Sequence, residues 1–415
     1  MKTMLMAAAA LAAPVGFAHP ALAAPGDPVK IGDGVTIDPQ LDARLRYESV
    51  DTPLLDATAV TLRARAGIEL AVGKFALLAE GEGTVALGNN YNAFPFAIVS
   101  DQRRVGHAVI ADPESGELNR LQVQYKGKAF TATLGRQRIN LDDQRWVGSV
   151  GWRQNEQTFD AVRAEAKLGP VSLDATYSIS QRSIFGSDAG PRQSYDGDFV
   201  FASAAAKLGP VNVKGFAYLL DYDESFFRAN SSQSYGLRAV AAVPLSKKVK
   251  LNLAASYARQ SDYGSNPFDY SADYIAAEAG TAFGPVGVMA GYEKLGSDGS
   301  AVGGPRSLQT PMATLHKFNG WADLFLTTPA RGLEDVYLGA TYKFDKVKFV
   351  KGLNAAVTWH DYNSDVGGLH YGSEWNASLG YTLGKFAILL KYADYDAKRF
   401  GVDTTKVWMQ AEFKY

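Results

Sequence analysis

The sequence predicts an all-β protein: a transmembrane antiparallel up-and-down β-barrel of about 18 strands, with short periplasmic turns and long extracellular loops. Three observations predict it. Apolar and polar side chains alternate along nearly every segment, small Gly-containing turns recur between the segments, and residues 1–23 read as a secretory leader.

Alternation is clearest from Val60. Val60, Leu62, Ala64, Ala66, Ile68, Leu70 and Val72 fall on one parity, and Thr61, Arg63, Arg65, Gly67 and Glu69 on the other. Successive strand residues face opposite sides, so this segment has one apolar face and one charged face. After Gly73-Lys74 the apolar phase resumes through Phe75, Leu77, Ala79, Gly81, Gly83, Val85 and Leu87.

Leu168-Gly169-Pro170-Val171, Leu208-Gly209-Pro210-Val211, Phe283-Gly284-Pro285-Val286 and Leu383-Gly384-Lys385-Phe386 repeat that turn, and Lys126-Gly127-Lys128 does likewise. Gly supplies positive φ and Pro cannot continue a ladder, so these are hairpins. Two connections are longer, Pro244 to Lys248 and Asp345 to Gly352. Between the hairpins lie polar loops at 49–58, 89–116, 139–156, 183–196, 223–231, 263–270, 297–332, 363–370 and 397–403. One strand before the first loop, eight hairpins and one closing strand make eighteen. In the closing strand Val407, Met409, Ala411, Phe413 and Tyr415 share a face, and its aromatic end resembles the signal read by the barrel-assembly machinery. Tyr125, Phe130, Tyr177, Tyr257, Tyr292, Tyr342, Trp359, Trp375, Tyr381, Phe386 and Tyr392 lie in the apolar phase near strand ends, where aromatic girdles belong.

The leader consists of Lys2, an apolar run from Met4 to Val15, and Ala21-Leu22-Ala23. Its brevity argues against a spanning helix. The expected division is a signal peptide at 1–23 and a single barrel domain at 24–415, placed in the outer membrane of a Gram-negative bacterium. Losing Lys2 takes the formal net charge from -1 to -2, which gives no overall attraction to nucleic acid. There is no cysteine, hence neither a disulfide framework nor a thiolate metal site. Mean hydropathy is -0.13, yet the chain holds 21 Tyr, 21 Phe and 41 Gly. A barrel that hides an apolar face at every second residue has this composition.

Function is expected in the opposite, lumen-facing phase. It carries Arg44, Arg46, Arg63, Arg65 and Arg163, with Asp42, Glu48, Glu69, Glu80, Glu82 and Glu165 near them. Such arginines either pair with carboxylates and brace the wall or present guanidinium groups to an anion. The segment 135–163 adds Arg136, Arg138, Arg145 and Arg153, interleaved with Asp142, Asp143, Trp146, Trp152 and Asp160. Parity places Arg136 and Arg138 outside, above the hydrocarbon, unless a bulge at Gly135 turns them inward. Arg beside Trp suits a sugar platform or a loop that rigidifies the mouth. The loop 297–332 holds His316, Lys317, Phe318, Trp321, Asp323, Leu324, Phe325 and Leu326. Its apolar patch predicts a segment folded into the barrel as a short helix or constriction.

These residues carry a resemblance. Segment 135–163, the stretch Pro311 to Asp323, Thr328-Pro329, Gly332-Leu333-Glu334-Asp335, and Leu41 to Asp51 with Arg44, Arg46, Tyr47 and Glu48 are similar to the alginate-export family of outer-membrane porins. The resemblance implies an eighteen-stranded barrel whose electropositive conduit passes an acidic polysaccharide. Here every periplasmic turn is short, with no counterpart of that family's long gating loop, and carboxylates accompany the arginines. The expectation carried over is therefore a porin or exporter for an anionic sugar, polysaccharide or organic acid. The alternative is a plugged or gated barrel with an adhesin or structural role.

No catalytic arrangement is expected. His19, His107, His316, His360 and His370 fall in no Ser-His-Asp or paired-carboxylate pattern, and no phosphate loop, dinucleotide fingerprint or zinc motif occurs. No cofactor is expected. Asp221-Tyr222-Asp223-Glu224 offers oxygen ligands of the kind Ca²⁺ takes, although solvated loop acids are the commoner use of such a run.

Overall fold

A computed structural model of the protein describes residues 28–350 and 352–415; the expected signal peptide at 1–23 lies outside them. Eighteen antiparallel strands form one closed sheet. In chain order they are β1 Val35–Asp51, β2 Asp56–Val72, β3 Phe75–Asn90, β4 Ser115–Lys126, β5 Phe130–Gln137 and β6 Thr158–Leu168. Then come β7 Val171–Arg182, β8 Ser194–Leu208, β9 Val211–Tyr222, β10 Ser232–Pro244, β11 Lys250–Asp262 and β12 Ser271–Phe283. The last are β13 Val286–Leu295, β14 Leu333–Lys343, β15 Asn354–Asn363, β16 His370–Leu383, β17 Phe386–Ala397 and β18 Thr404–Lys414.

Each strand pairs with the next, and β18 pairs back to β1 from Asp51↔Thr405 to Asp42↔Lys414. Val29–Gly32 folds against the start of β1 and lengthens the seam. Closure leaves no strand edge in the hydrocarbon, where an unpaired backbone group has no water to bond.

The parity expected for β2 holds. Arg63 and Arg65 are buried inside while Leu62, Ile68 and Leu70 are exposed outside. Gly73, Gly169, Gly209, Gly284 and Gly384 have φ near +60°. A Cβ on any of them would meet nothing within 4 Å, so the turn demands glycine for its dihedral angles, not for room. Phe75, Tyr125 and Phe130 form a contiguous aromatic group at the turn end. At the loop end the outward tyrosines lean on acids, as in Tyr257 Oη to Asp273 (2.8 Å) and Tyr292 Oη to Glu334 (3.1 Å).

The first loop is shorter than the expected 49–58, because β1 and β2 remain paired out to Asp51↔Asp56. Ladder bonds do not require apolar side chains, so the polar ends of these strands continue past the alternating stretch. The loops at 138–157 and 296–332 do not stand in solvent. They fold into the lumen and occupy its middle.

Candidate functional site, a constriction made by two infolded loops

The two loops bind each other through their backbones. Gly148 N donates to Met312 O (2.9 Å) and Thr314 N to Gln144 O (3.0 Å). Gln157 Nε2 reaches both Gly148 O and Met312 O. A Cβ at Gly148 would lie 2.3 Å from Thr314 Oγ1, so only glycine permits this approach. Leu315–Lys317 forms a single 3-10 turn at the tip of the second loop. Among the described residues, every non-glycine with positive φ lies in these loops: Asp142, Gln144, Val150, Asn319 and Asp323. Such conformations cost about 1–3 kcal/mol each and persist only where surroundings over-determine them.

Charge supplies that over-determination. Arg44 donates to the carbonyls of Gly151, Trp152 and Arg153 and to Glu412. Arg46 bonds Trp152 O, Gln410 and Asp112. Arg63 pairs with Asp42 and Glu412, and Arg65 with Glu82 and Glu156. From the first loop, Arg138 pairs with Glu80 and Glu156, and Arg145 with Glu293 at 2.7 Å. Arg153 lies 3.3 Å from Glu48 and 2.9 Å from Asp323. Arg163 is held by Asp174 and Glu165. The arginines expected to line an electropositive path are all matched by carboxylates. Arg44, Arg46, Arg65, Arg138, Arg145 and Arg153 pin the loops to the wall, and Arg63 and Arg163 brace neighbouring strands.

Two further expectations need correction. Arg136 stays on the outer face of β5, bonded to Asp160 at 2.8 Å, and does not reach the lumen. Parity on β5 carries past Gly135 despite its φ of +112°; only Arg138, beyond the end of the strand, turns inward. Trp152 is no free sugar platform. The His316 ring stacks on it at 4.4 Å, and Arg46 Cζ and Lys391 Nζ sit 4.1 and 3.9 Å from its centre.

Around Trp152 lies a buried cluster that joins both loops to the wall. Lys391 of β17 packs against the Trp152 and Trp321 rings, and its Nζ lies 2.7 Å from His316 Nε2. An ionised carboxylate only accepts, so His316 carries its proton on Nδ1, which donates to Asp323 at 2.7 Å, and Nε2 accepts from Lys391. Burial, aided by the Lys391 charge, holds His316 well below the usual imidazole range despite Asp323. Burial alone would raise Asp323, but His316, Lys406 and Arg153 outweigh it and hold the carboxyl well below the usual range. Glu156 behaves alike: Arg65 and Arg138 overcome burial and set it at about 2. Asp323 thus remains ionised and His316 neutral near pH 7.

The loops leave a cavity of about 760 Å³ against the wall of β10 to β18, β1 and β2. Its lining holds seven Arg and Lys side chains and eight Asp and Glu, so its formal charge is close to balanced. Every one of those carboxylates already accepts from the protein. Asp42, Glu156 and Glu412 face the arginines named above. Asp142 takes Lys214, Asp143 takes Arg238, and Glu278 takes Tyr337. Glu293 accepts from Arg145, Tyr274 and Asn319, and Asp335 from His360 and Asn319. Lys317 and Lys391 line the same space, and among the described residues neither has a carboxylate at ion-pair distance. Lys317 Nζ rests on Asp143 O at 2.7 Å, over the Phe318 ring.

The expected constriction residues are brought together: His316, Lys317, Phe318 and Trp321 line the cavity, and Asp323 lies behind them. The apolar patch is buried at Trp321 and Phe325 but not at Leu326. Sequence reasoning missed Lys391, Lys406 and Asp112. Lys391 had a signal: its inward row reads Ala387, Leu389, Lys391, Ala393, Tyr395, with one charge among apolar residues. The run Asp221 to Glu224 knits loops, with Asp221 accepting from Ser265 N and Glu224 from Asp196 N. Among the described residues no group of His, Asp and Glu is arranged to hold a metal ion.

A closed eighteen-strand barrel with an apolar outer belt and loops folded into a polar lumen is a porin of the bacterial outer membrane. The chain belongs to the alginate-export family, whose model, described as "Alginate export", matches residues 36–273. None of the curated proteins matches it. Among solved structures it is similar to OpdK of Pseudomonas aeruginosa crystallised with vanillate. That pair shares 16% identity and a TM-score of 0.68, covering 91% of this chain and 98% of that one. OccAB1 of Acinetobacter baumannii superposes with a TM-score of 0.70 at 14% identity, covering 91% and 96%. OccK2 (OpdF) of P. aeruginosa gives 0.68 at 16% identity, covering 91% and 97%. At these identities the likeness is one of fold.

Proposed function

We propose that this porin is selective for a small anionic solute, a sugar acid or organic carboxylate of single-residue size. The observation that carries the reading is the division of labour among cations. The arginines hold the two loops in the lumen or brace the wall, while Lys317 and Lys391 border the remaining space with no carboxylate of their own. A space of about 760 Å³ matches small-molecule sites, which run to roughly 300–1,000 Å³. The mixed wall, with Tyr274, Tyr337, Phe318 and Trp321 beside the lysines, suits a solute that pairs a ring or hydroxyls with one carboxylate. OpdK was crystallised with vanillate, an aromatic carboxylate of that kind. A polymer would have to displace two loops cross-linked through Arg145 and Arg153, so the monomeric acid is preferred over the polysaccharide. On this reading residues 1–23 are the cleaved signal, 24–415 form one barrel domain, and β18 presents the chain to the assembly machinery.

The test is single-channel recording of the refolded barrel in planar bilayers under a KCl gradient. The expected reversal potential is that of an anion-preferring pore, moving toward the cation side in Lys317→Glu. A barrel that never opens supports the plugged, structural alternative. A cation-selective wild type removes the anionic solute.

A further inference from the structure

Resting on that reading, we infer that the cavity contains a built carboxylate subsite, formed by Thr358 of β15, Asn376 of β16 and Lys391 of β17. The acids around this cavity are all consumed by protein donors, as described above. The buried polar atoms that find no protein partner are of the other kind. Among cavity-lining residues they are Arg44 Nε, Trp152 Nε1, Thr358 Oγ1 and Asn376 Nδ2. Three of these can only donate, and a hydroxyl can donate.

A near-neutral wall is therefore not a neutral partner. It holds surplus N–H and O–H groups and wants oxygens. Leaving a buried donor unpaired costs about 1–3 kcal/mol, a cost that an occupant supplying acceptors removes. Thr358 and Asn376 are directly opposed across the β15–β16 ladder, on its inward face. Lys391 opposes Ser378, two residues along from Asn376 on the same face, a diagonal neighbour at roughly 7–8 Å. Thr358 and Asn376 are each only 1% exposed, and Lys391 2%. Asn376 is oriented by its other end, because Oδ1 takes Trp321 N at 3.3 Å. Trp321 N donates chiefly to Glu374 Oε1 at 2.6 Å, with Asn376 Oδ1 as its second acceptor, and Nδ2 is the atom left unpaired.

Two neutral donors beside an ammonium make a cradle for the two oxygens of a carboxylate. A cationic solute meets two N–H donor groups there and a single hydroxyl oxygen as acceptor, and a neutral amide offers one acceptor where the acid offers two. The subsite thus ranks solutes by acceptor content at fixed size.

The experiment is isothermal titration calorimetry of the refolded barrel in detergent with benzoate, benzamide and benzylammonium, so that binding is read whether or not the pore is open. Benzoate is expected to bind about tenfold or more tighter than benzamide, and benzylammonium not at all. Thr358→Val keeps the shape and removes one donor. Asn376→Leu removes the other without adding a charge, Trp321 N keeping Glu374 as its acceptor. Each is expected to weaken benzoate about tenfold, with benzamide nearly unchanged and the folded band on unboiled gels intact. Equal binding of benzoate and benzamide, or folded variants that bind benzoate as wild type does, overturns the subsite. In that event an anion-selective wild-type pore still leaves the proposed function standing, whereas a cation-selective one removes it independently.

Discussion

The two sides of the lumen hold the same loop by different means. From β1 to β3 the inner wall is ionic, with Arg44, Arg46, Glu48, Arg63, Arg65, Glu80 and Glu82 all buried. Across the lumen, from β6 to β9, it is aromatic: Phe159, Phe199, Phe201, Phe216, Tyr218 and Tyr222. The loop 138–157 spans both. Trp152 and Arg153 dock on the ionic side, while Ile139, Leu141 and Val147 pack into the aromatic side with Trp146, whose ring lies 5.5 Å from Phe216 and 5.3 Å from Tyr274. An aromatic contact tolerates sliding, and a guanidinium between fixed carboxylates does not. The ionic side thus sets the loop's register, and the aromatic side contributes most of its apolar burial.

That contrast can be broken in graded steps. Arg153→Ala leaves Glu48, Asp112 and Asp323 facing one another, and removing one partner of a buried pair costs about 3–5 kcal/mol. It is expected to show the largest fall in the unfolding temperature on unboiled gels, together with higher and noisier conductance as the loop loses its register. Trp146→Ala, on a partly buried ring, is expected to cost about 3 kcal/mol while the open-channel current stays near wild type. Equal noise in the two variants would show that both sides set the register.

Acid gives a smaller effect confined to the ionic side. His316 is held below its usual value, so the unfolded chain takes up the proton first and stability falls as pH drops below about 6.5. Asp323 is held low as well; its contribution is complete above about 3.8 and is lost only below that pH. The expected result is a fall in the unfolding temperature on unboiled gels as pH drops from about 6.5 to about 5, smaller in His316→Asn, since an amide can both donate to Asp323 and accept from Lys391. An unfolding temperature with the same pH dependence in the variant would place the latch elsewhere. Smallest of all is Lys126→Ala, which removes the exposed pair with Glu69 at the turn end. It is expected to change stability by less than about 1 kcal/mol.

The strands were readable from sequence because their signal is local. One parity of β2 suffices to place seven lipid-facing residues and the arginines opposite. The site was not, because its partners are remote. Arg145 meets Glu293 148 residues away, and Arg153 meets Asp323 across 170. Nothing in segment 135–163 distinguishes an arginine awaiting a solute from one awaiting a carboxylate elsewhere in the chain. Lys391 is legible as a lone inward charge in an otherwise apolar row, but the row does not show that its partners are rings and an imidazole from a distant loop. Arg136 needed no new information; strict parity already put it outside.

The seam between β18 and β1 has a consequence for biogenesis. Arg44 and Glu412, bonded across it, are 368 residues apart. The seam holds the longest sequence separations in the described sheet, reaching Leu41 with Tyr415, and loop-closure entropy places its formation late. Until then the growing sheet has two open edges at β1 and β18, each a template for pairing with another chain. The ion pair of Arg44 with Glu412 thus acts as a completion mark, unavailable to any chain that has not synthesised its final strand. A truncation at the C-terminal side of β17 is accordingly an open sheet and a candidate for degradation, not a smaller barrel.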